Sequence, residues 1–339
     1  MGDRMNRPPL GAVVRLILAT AAWGLSFPTA KAVMLTQAAL LPDRTDWFHA
    51  ALILTNRMVF AVILMGALFW RNLWRLRRRE VWQGIELGLF GGFGMLLQTH
   101  AQTVIPASTS AFFTQFTCIF VPLAVAWKGR CKPILRVMIA SLLVLAGCAV
   151  LSGFQADGIG FRPGEWETIL AAVLFTGQIL ALERPCYQNN DMRSAATVMF
   201  LVKALILVPA VCWGVHASQG TAPTVADWTA LASIYANAPL LLMTGILTVF
   251  STVYSYATMT RWQPLVSSTQ AGLIYATEPL FATLWALVLP GWFARLAGIH
   301  YPNEQLTSSF FLGALLIVCA NGMLLLPGRA RTPVPADGL

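Results

Sequence analysis

Apolar residues occur in long runs separated by short polar stretches along most of the chain. An α-helix needs about 20 apolar residues to cross the hydrocarbon core of a bilayer. We predict ten such spans, at about 12–36, 50–70, 82–104, 108–127, 134–152, 166–183, 195–215, 236–258, 265–289 and 308–327. The pattern therefore predicts an all-α integral membrane protein with ten transmembrane helices and short loops.

The composition supports a membrane protein. Of the 339 residues, 57% are apolar and only 11% are charged, whereas soluble domains have roughly 45–50% apolar and about 25% charged residues. So few charges cannot cover a surface that faces water. This composition excludes a soluble globular enzyme, a disordered chain and a fibrous chain.

The basic residues predict an orientation. With the N-terminus inside, 16 of the 23 Lys and Arg residues lie in inner loops and tails and 3 lie in outer loops. Cytoplasmic loops carry such an excess, so we expect both termini to be cytoplasmic in an inner (plasma) membrane. The same rule accounts for the net charge of +9 without nucleic acid. We expect a small-molecule substrate and membrane lipid as partners, and we leave a homodimer open.

The two halves of the chain resemble each other. Ser108-Thr-Ser-Ala111 is followed by Pro122 in one helix, and Ser267-Ser-Thr-Gln-Ala271 is followed by Pro279 in another. Because each half has an odd number of spans, the second half must be inverted relative to the first. We therefore predict two five-helix repeats, at 12–152 and 160–327, with short cytoplasmic tails at 1–11 and 328–339. Inverted repeats with a site at the midplane are a transporter design.

Several short motifs lie within these spans. They are Trp23-Gly24 followed by Ser26-Phe-Pro28 and Lys31, Asn56-Arg57, the stretch from Ala101 to Ala111, and the prolines Pro122 and Pro279, which correspond between the halves. Together they resemble the drug/metabolite transporter superfamily, EamA type, over about residues 12–327. The resemblance implies ten helices in two inverted halves that move small metabolites across a membrane.

One departure limits what the resemblance implies. The family often has an acidic residue just after the fourth and ninth spans. Here those places are Ala126-Trp-Lys-Gly-Arg130 and Leu289-Pro-Gly-Trp292, without an acid. The family's coupling or closing contacts at these places are therefore not carried over to this chain.

Charged residues within the spans are the first candidates for a site, because a charge near the midplane costs at least about 2.5–3.5 kcal/mol. Glu278 is the only acid deep within a span. It either faces a cavity, where it binds a substrate cation or exchanges a proton, or it forms a permanent pair with Lys203 or another cation. Arg57 either lines the cavity or anchors helices, and His100 is either a pH sensor or a satisfied core residue. Lys203, near the middle of the seventh span, is either a site residue or a long basic side chain that snorkels toward the membrane surface.

Uncharged polar residues cluster in the third, fourth, eighth and ninth spans, which correspond between the halves. Most such groups join membrane helices to one another. We expect a minority to line a substrate path near the midplane, and the candidates are Gln98, Gln115, Tyr256, Gln270 and Tyr275.

Three classes of function remain at this stage. The first is a secondary transporter of a small polar metabolite that works by alternating access; the sequence leaves open whether the substrate is amino-acid-like and whether it is exported. It would not use ATP directly, because the chain has no Walker-type phosphate loop. The second is a non-transporting membrane scaffold or receptor, but the loops are short. The third is a membrane-embedded enzyme, but the 4 histidines are scattered. We expect no enzyme activity, no cofactor and no metal.

Overall fold

The computed structural model describes residues 8–105, 107–152, 162–187, 189–219, 229, 231–232 and 234–325. The predicted tail at 328–339, residues 1–7 of the other tail, and the predicted junction between the repeats lie outside them. No strand occurs in the described ranges. The helices are α1 (Leu10–Gly24), α2 (Ser26–Leu40), α3 (Asp46–Leu73), α4 (Arg78–Val104), α5 (Ala107–Thr114), α6 (Thr117–Lys128), α7 (Leu135–Ser152), α8 (Pro163–Leu182), α9 (Met192–Gln219), α10 (Ala238–Ile246), α11 (Ser255–Trp262), α12 (Ser268–Tyr275), α13 (Glu278–Ala286), α14 (Leu289–Ala297) and α15 (Ser308–Leu325).

Three short non-α segments complete the described elements. A π-helix, Leu247–Tyr254, joins α10 to α11, and 3₁₀ turns lie at Pro185–Tyr187 and Gln263–Leu265. Through this π-helix, α10 and α11 form one continuous helical rod. A wide π turn shifts the side chains that follow it around the helix, and such turns are frequent at functional sites.

Among the described residues, six helical segments are long and apolar enough to cross a membrane: Leu10–Leu40, Asp46–Leu73, Thr109–Lys128, Pro163–Leu182, Met192–His216 and Ala238–Leu265. A bent pair, Ser268–Ala286 with Leu289–Ala297, would make a seventh. Helices also occupy the other three predicted positions, but Leu135–Leu151 and Ser308–Met323 are shorter and α4 is not among the six. The chain is thus a multi-pass helical membrane protein, and the count of ten is not confirmed.

Two of the breaks in the described helices lie close to prolines. Leu25 separates α1 from α2 three residues before Pro28, and α13 begins one residue before Pro279. Proline has no N–H, so it leaves the carbonyl four residues earlier without its helical partner. For Pro122 in α6 that carbonyl belongs to Cys118, and the Ser141 hydroxyl of α7 donates to it at 2.6 Å. The freed group is therefore satisfied by a neighbouring helix, as a membrane interior requires.

Glycines bring α4 and α9 into direct contact. A Cβ atom on Gly84 would lie 2.5 Å from Val198 Cβ, and one on Gly88 would lie 2.6 Å from Val202 Cβ. The two glycines are one turn apart on the same face of α4, so each receives a valine of α9. This close approach helps to place the helix that carries Lys203 against α4.

Candidate functional site

A cavity of about 90 Å³ lies among the helices. One water molecule needs roughly 10–15 Å³ on the same measure, so the cavity has room for several waters or a small metabolite. Side chains from α1, α2, α3, α4, α8, α11, α12 and α13 line it, together with residues at the break between α5 and α6. The lining therefore draws on both halves of the chain.

Arg57 of α3 is one of the two charged residues that line the cavity in the part of the chain that the structure describes. Its side chain is only 5% exposed, and its Nε–H donates to Thr252 Oγ1 at 3.2 Å. Thr252 in turn donates to the carbonyl of Leu247, five residues earlier in the π-helix. Within the described part of the chain, the two terminal nitrogens of Arg57 have no hydrogen-bond or ion-pair partner. A buried guanidinium is thus held through Nε and has donors available to a ligand.

Glu278, at the first residue of α13, is the other charged group of the lining. Its carboxyl group lies near the side chain of Gln115, which is at the break between α5 and α6 and also lines the cavity. No ion pair joins Glu278 to Arg57, to Lys203 or to any other cation in the described ranges.

Lys203 lies behind the cavity wall and not in it. It is fully buried, and its Nζ is 3.8 Å from the centre of the Tyr256 ring and 3.6 Å from Met95 Sδ. Tyr256 and Met95 both line the cavity. A Cβ on Gly91 would lie 2.7 Å from Lys203 Nζ, so this glycine leaves the space that the ammonium group occupies.

Aromatic rings form one side of the cavity. Trp23 packs edge-on against Tyr256, with ring centroids 5.4 Å apart, and against Tyr275, with centroids 5.2 Å apart. The Tyr256 hydroxyl is 3.4 Å from Met95 Sδ. The Tyr275 hydroxyl donates to Gln263 Oε1 at 2.9 Å. Ring faces can stabilise a ligand cation, and the hydroxyl groups fix the orientation of the rings.

Six of the nine sequence-derived candidates line this cavity, and three do not. The six are Glu278, Arg57, Gln98, Gln115, Tyr256 and Tyr275. Besides Lys203, the cavity lining does not include Gln270 or His100. Gln270 caps the N-terminus of α12 through reciprocal bonds with Ser267. His100 Nδ1 is 2.7 Å from Glu167 Oε2, and its ring stacks on Trp47 at 3.8 Å.

The site also contains residues that the polar pattern of the four selected spans could not identify. Trp23 is in the first span, and Phe175, Gln178 and Ile179 come from α8, the sixth span. In the sequence, Trp23 is distinguished only as part of the family motif. The other three residues lie in the sixth span, where no pattern distinguishes them from their neighbours. In the described ranges, no group of three or more His, Cys, Asp and Glu side chains is placed to hold a metal ion.

The comparisons with known proteins address fold and family. One solved crystal structure aligns with a TM-score of 0.55 at 18% sequence identity, over 89% of this chain and 95% of that chain. At this identity the similarity shows the fold alone. No curated protein matches the sequence.

The family model of the EamA-like transporter family matches residues 10–153. This range contains α1 to α7, and within it Trp23, Arg57, Gln98 and Gln115 line the cavity. The EamA family implies a membrane transporter of the drug/metabolite type. Residues 10–153 are thus an EamA-like segment, and this match supports membership of the drug/metabolite transporter superfamily.

Proposed function

We propose that this protein is a secondary transporter that moves a small zwitterionic, amino-acid-like metabolite across the membrane by alternating access. One observation carries the proposal. A single cavity contains a buried Arg57 and a Glu278 that are not paired with each other or with another charged side chain of the described residues. Charged groups in a membrane interior are costly, so unpaired ones are functional candidates.

The two charges suit opposite ends of one substrate. The free terminal nitrogens of Arg57 match the two oxygens of a carboxylate, which arginine binds in a bidentate manner. Glu278 can accept hydrogen bonds from a substrate ammonium group. The rings of Trp23 and Tyr275 supply further attraction for a cation, so an α-amino acid would satisfy both charges at once.

The packing of the helices supports two inverted repeats at 12–152 and 160–327. The second predicted span packs on the seventh (α3 on α9), and the fifth packs on the tenth (α7 on α15). The third packs on the sixth (α4 on α8), and the corresponding first and eighth are also in contact (α1 on α11). A two-fold relation between the halves would produce this reciprocal pattern. Such a relation gives two equivalent conformations that open to opposite sides.

The membrane and the orientation are part of the proposal. The 16-to-3 distribution of basic residues supports cytoplasmic termini in an inner (plasma) membrane. Ten spans then place the α11–α12 end of the bundle on the cytoplasmic side, and we propose export as the physiological direction. The chain would act without ATP, because it lacks a Walker-type loop.

A transport assay with matched compounds tests the function. Purified protein in proteoliposomes should take up or exchange labelled α-amino acids. It should move the corresponding α-keto acids, which lack the ammonium group, and the corresponding amines, which lack the carboxylate, at least about tenfold more slowly. Glu278→Gln should remove this discrimination against keto acids. The control is Glu167→Gln, because Glu167 pairs with His100 outside the cavity.

Equal transport of all three compound classes would contradict the proposed substrate. Absence of any transport by folded protein, over a broad set of polar metabolites and with or without a pH gradient, would favour a scaffold or receptor. Chemical conversion of a supplied compound would favour an enzyme.

A further inference from the structure

Gln263 lies just beyond the wall of the cavity, at the end of the bundle where α11 gives way to α12. It is the first residue of the 3₁₀ turn Gln263–Leu265 and is followed by Pro264. Its side chain is fully buried, although glutamine is mostly found exposed. It does not line the cavity itself.

Both polar atoms of the Gln263 side chain form hydrogen bonds. Its Nε2–H donates to the carbonyl of Ile179 in α8 at 2.9 Å, and its Oε1 accepts from the hydroxyl of Tyr275 in α12 at 2.9 Å. Ile179 and Tyr275 are themselves lining residues. One amide therefore joins three separate segments of the chain beside the cavity: α8, the 3₁₀ turn and α12.

Apolar side chains surround the three bonded groups. Ile179, Met259, Val266 and Tyr275 belong to one buried cluster. Hydrogen bonds shielded from water in this way are stronger than exposed ones, and an amide left unpaired there would be costly. The arrangement is thus favourable only while α8, the turn and α12 remain together.

We propose that Gln263 is the latch that holds the cavity closed at the α11–α12 end, and that both of its bonds break when the cavity opens there. This inference rests on the proposed alternating access. In the open conformation, α8 and α12 separate, and water entering the gap satisfies the released amide, carbonyl and hydroxyl groups. Gln263 acts as a positioning residue for Tyr275 and does not touch the substrate.

Removal of the latch should favour the conformation that is open at this end. One buried hydrogen bond shifts an equilibrium by roughly 2- to 12-fold, so Gln263→Leu, which loses both bonds, should shift it about tenfold. The reporter is Thr99→Cys in a background without the six native cysteines, because Thr99 lines the cavity. A membrane-impermeant thiol reagent is applied to sealed vesicles of each orientation.

The expected result is specific to one side. Gln263→Leu should raise the labelling rate about tenfold from the α11–α12 end, which is cytoplasmic in the proposed topology, and should not raise it from the opposite side. Tyr275→Phe removes one of the two bonds and should raise it by a smaller factor from the same side. The double variant should match Gln263→Leu, because the two changes break the same contact.

The matched control is Gln37→Leu. Gln37 of α2 is also a fully buried glutamine, but its side-chain nitrogen and oxygen have no partner among the described residues. Its replacement should leave labelling from both sides unchanged. A Gln263→Leu effect no larger than that of Gln37→Leu would overturn the latch, and so would an equal rise from both sides.

Two further results separate the possible failures. If Gln263→Leu does not fold, Tyr275→Phe carries the test alone, and an unchanged labelling rate in that variant overturns the proposal. If the side-specific rise in labelling occurs but no transport of amino acids is found, the result supports the latch and contradicts the proposed substrate.

Discussion

The ammonium group of Lys203 lies over the face of the Tyr256 ring, 3.8 Å from its centre, and has no carboxylate partner within the described ranges. The ring face partly compensates a buried cation. The ion pair between Lys203 and Glu278, which the sequence left open as an alternative, is not formed. Glu278 lines the cavity near Gln115 and has no cationic partner in the described ranges, so the acid remains available to a substrate in the cavity.

The first prediction concerns the absence of an ion pair between Lys203 and Glu278. Lys203→Met keeps the length and apolar stem of the side chain and removes a buried, unpaired charge. We expect its thermal unfolding midpoint in detergent to equal or exceed that of the wild type. Combination with Glu278→Gln should be additive within about 0.5 kcal/mol, as for residues without a shared interaction. If Lys203→Met instead rescued an unstable Glu278→Gln protein, the two residues would be an ion pair.

The second prediction concerns the role of Glu278 in transport. Glu278→Gln removes the charge and keeps the shape and the hydrogen-bonding capacity. We expect a folded, normally inserted protein that has lost amino-acid transport or its dependence on pH, measured by uptake into proteoliposomes across a range of pH. Full transport with unchanged pH dependence in a well-folded protein would contradict the assignment.

The third prediction concerns the contact between α4 and α9. A Cβ on Gly88 would lie 2.6 Å from Val202 Cβ, so Gly88→Ala must push the helices apart and should destabilise the protein by about 1–3 kcal/mol. Gly66 of α3 is the control, because nothing lies within 4 Å of its added Cβ. Gly66→Ala should be neutral or stabilising by up to about 1 kcal/mol. The thermal unfolding midpoint of Gly88→Ala should be lower than that of Gly66→Ala. Equal midpoints would contradict the close packing of α4 and α9.

The fourth prediction concerns Asp191, just before α9. Burial by itself would raise the pKa of this carboxyl group, but hydrogen bonds from Ser194, from Asn72 and from two backbone N–H groups outweigh it and lower the pKa. The stabilisation is therefore present at neutral pH and is lost as the pH falls below about 4, through the lowered pKa. Asp191→Asn should lower the unfolding midpoint at pH 7, and its midpoint should fall less than that of the wild type on acidification. Exposed Asp43→Asn is the control; identical acid profiles for all three proteins would contradict the prediction.

The helical spans follow from the sequence because each apolar run must hydrogen-bond its own backbone in lipid. The charged cavity residues Glu278 and Arg57 follow for a related reason, since a charge within such a run needs a cavity or a partner. The length of a run does not show where a helix breaks. Pro279 marks the interruption between α12 and α13, but the interruption between α5 and α6 has no adjacent proline and required the three-dimensional structure.

Other parts of the site depend on contacts between distant segments. Trp23 becomes part of the aromatic wall only because α1 packs on α11 and α12, and Gln263 meets Ile179 across 84 residues of sequence. The polar pattern of the ninth span also indicated Gln270 as a cavity residue. Gln270 has the same polar character as Gln115, but it forms hydrogen bonds with Ser267 that cap the N-terminus of α12. Polar residues in apolar helices thus indicate that a partner exists, but not whether the partner is a substrate or the chain itself.

The central claim is that the cavity lies on the transport path and opens to each side in turn. The most direct measurement is the accessibility of a cysteine at Thr99, in the background without native cysteines, to an impermeant thiol reagent added separately to each side of sealed vesicles. The account predicts labelling from both sides and slower labelling when a transported amino acid is present. Labelling that occurs from one side only under all conditions, or from neither side, would contradict alternating access through this cavity.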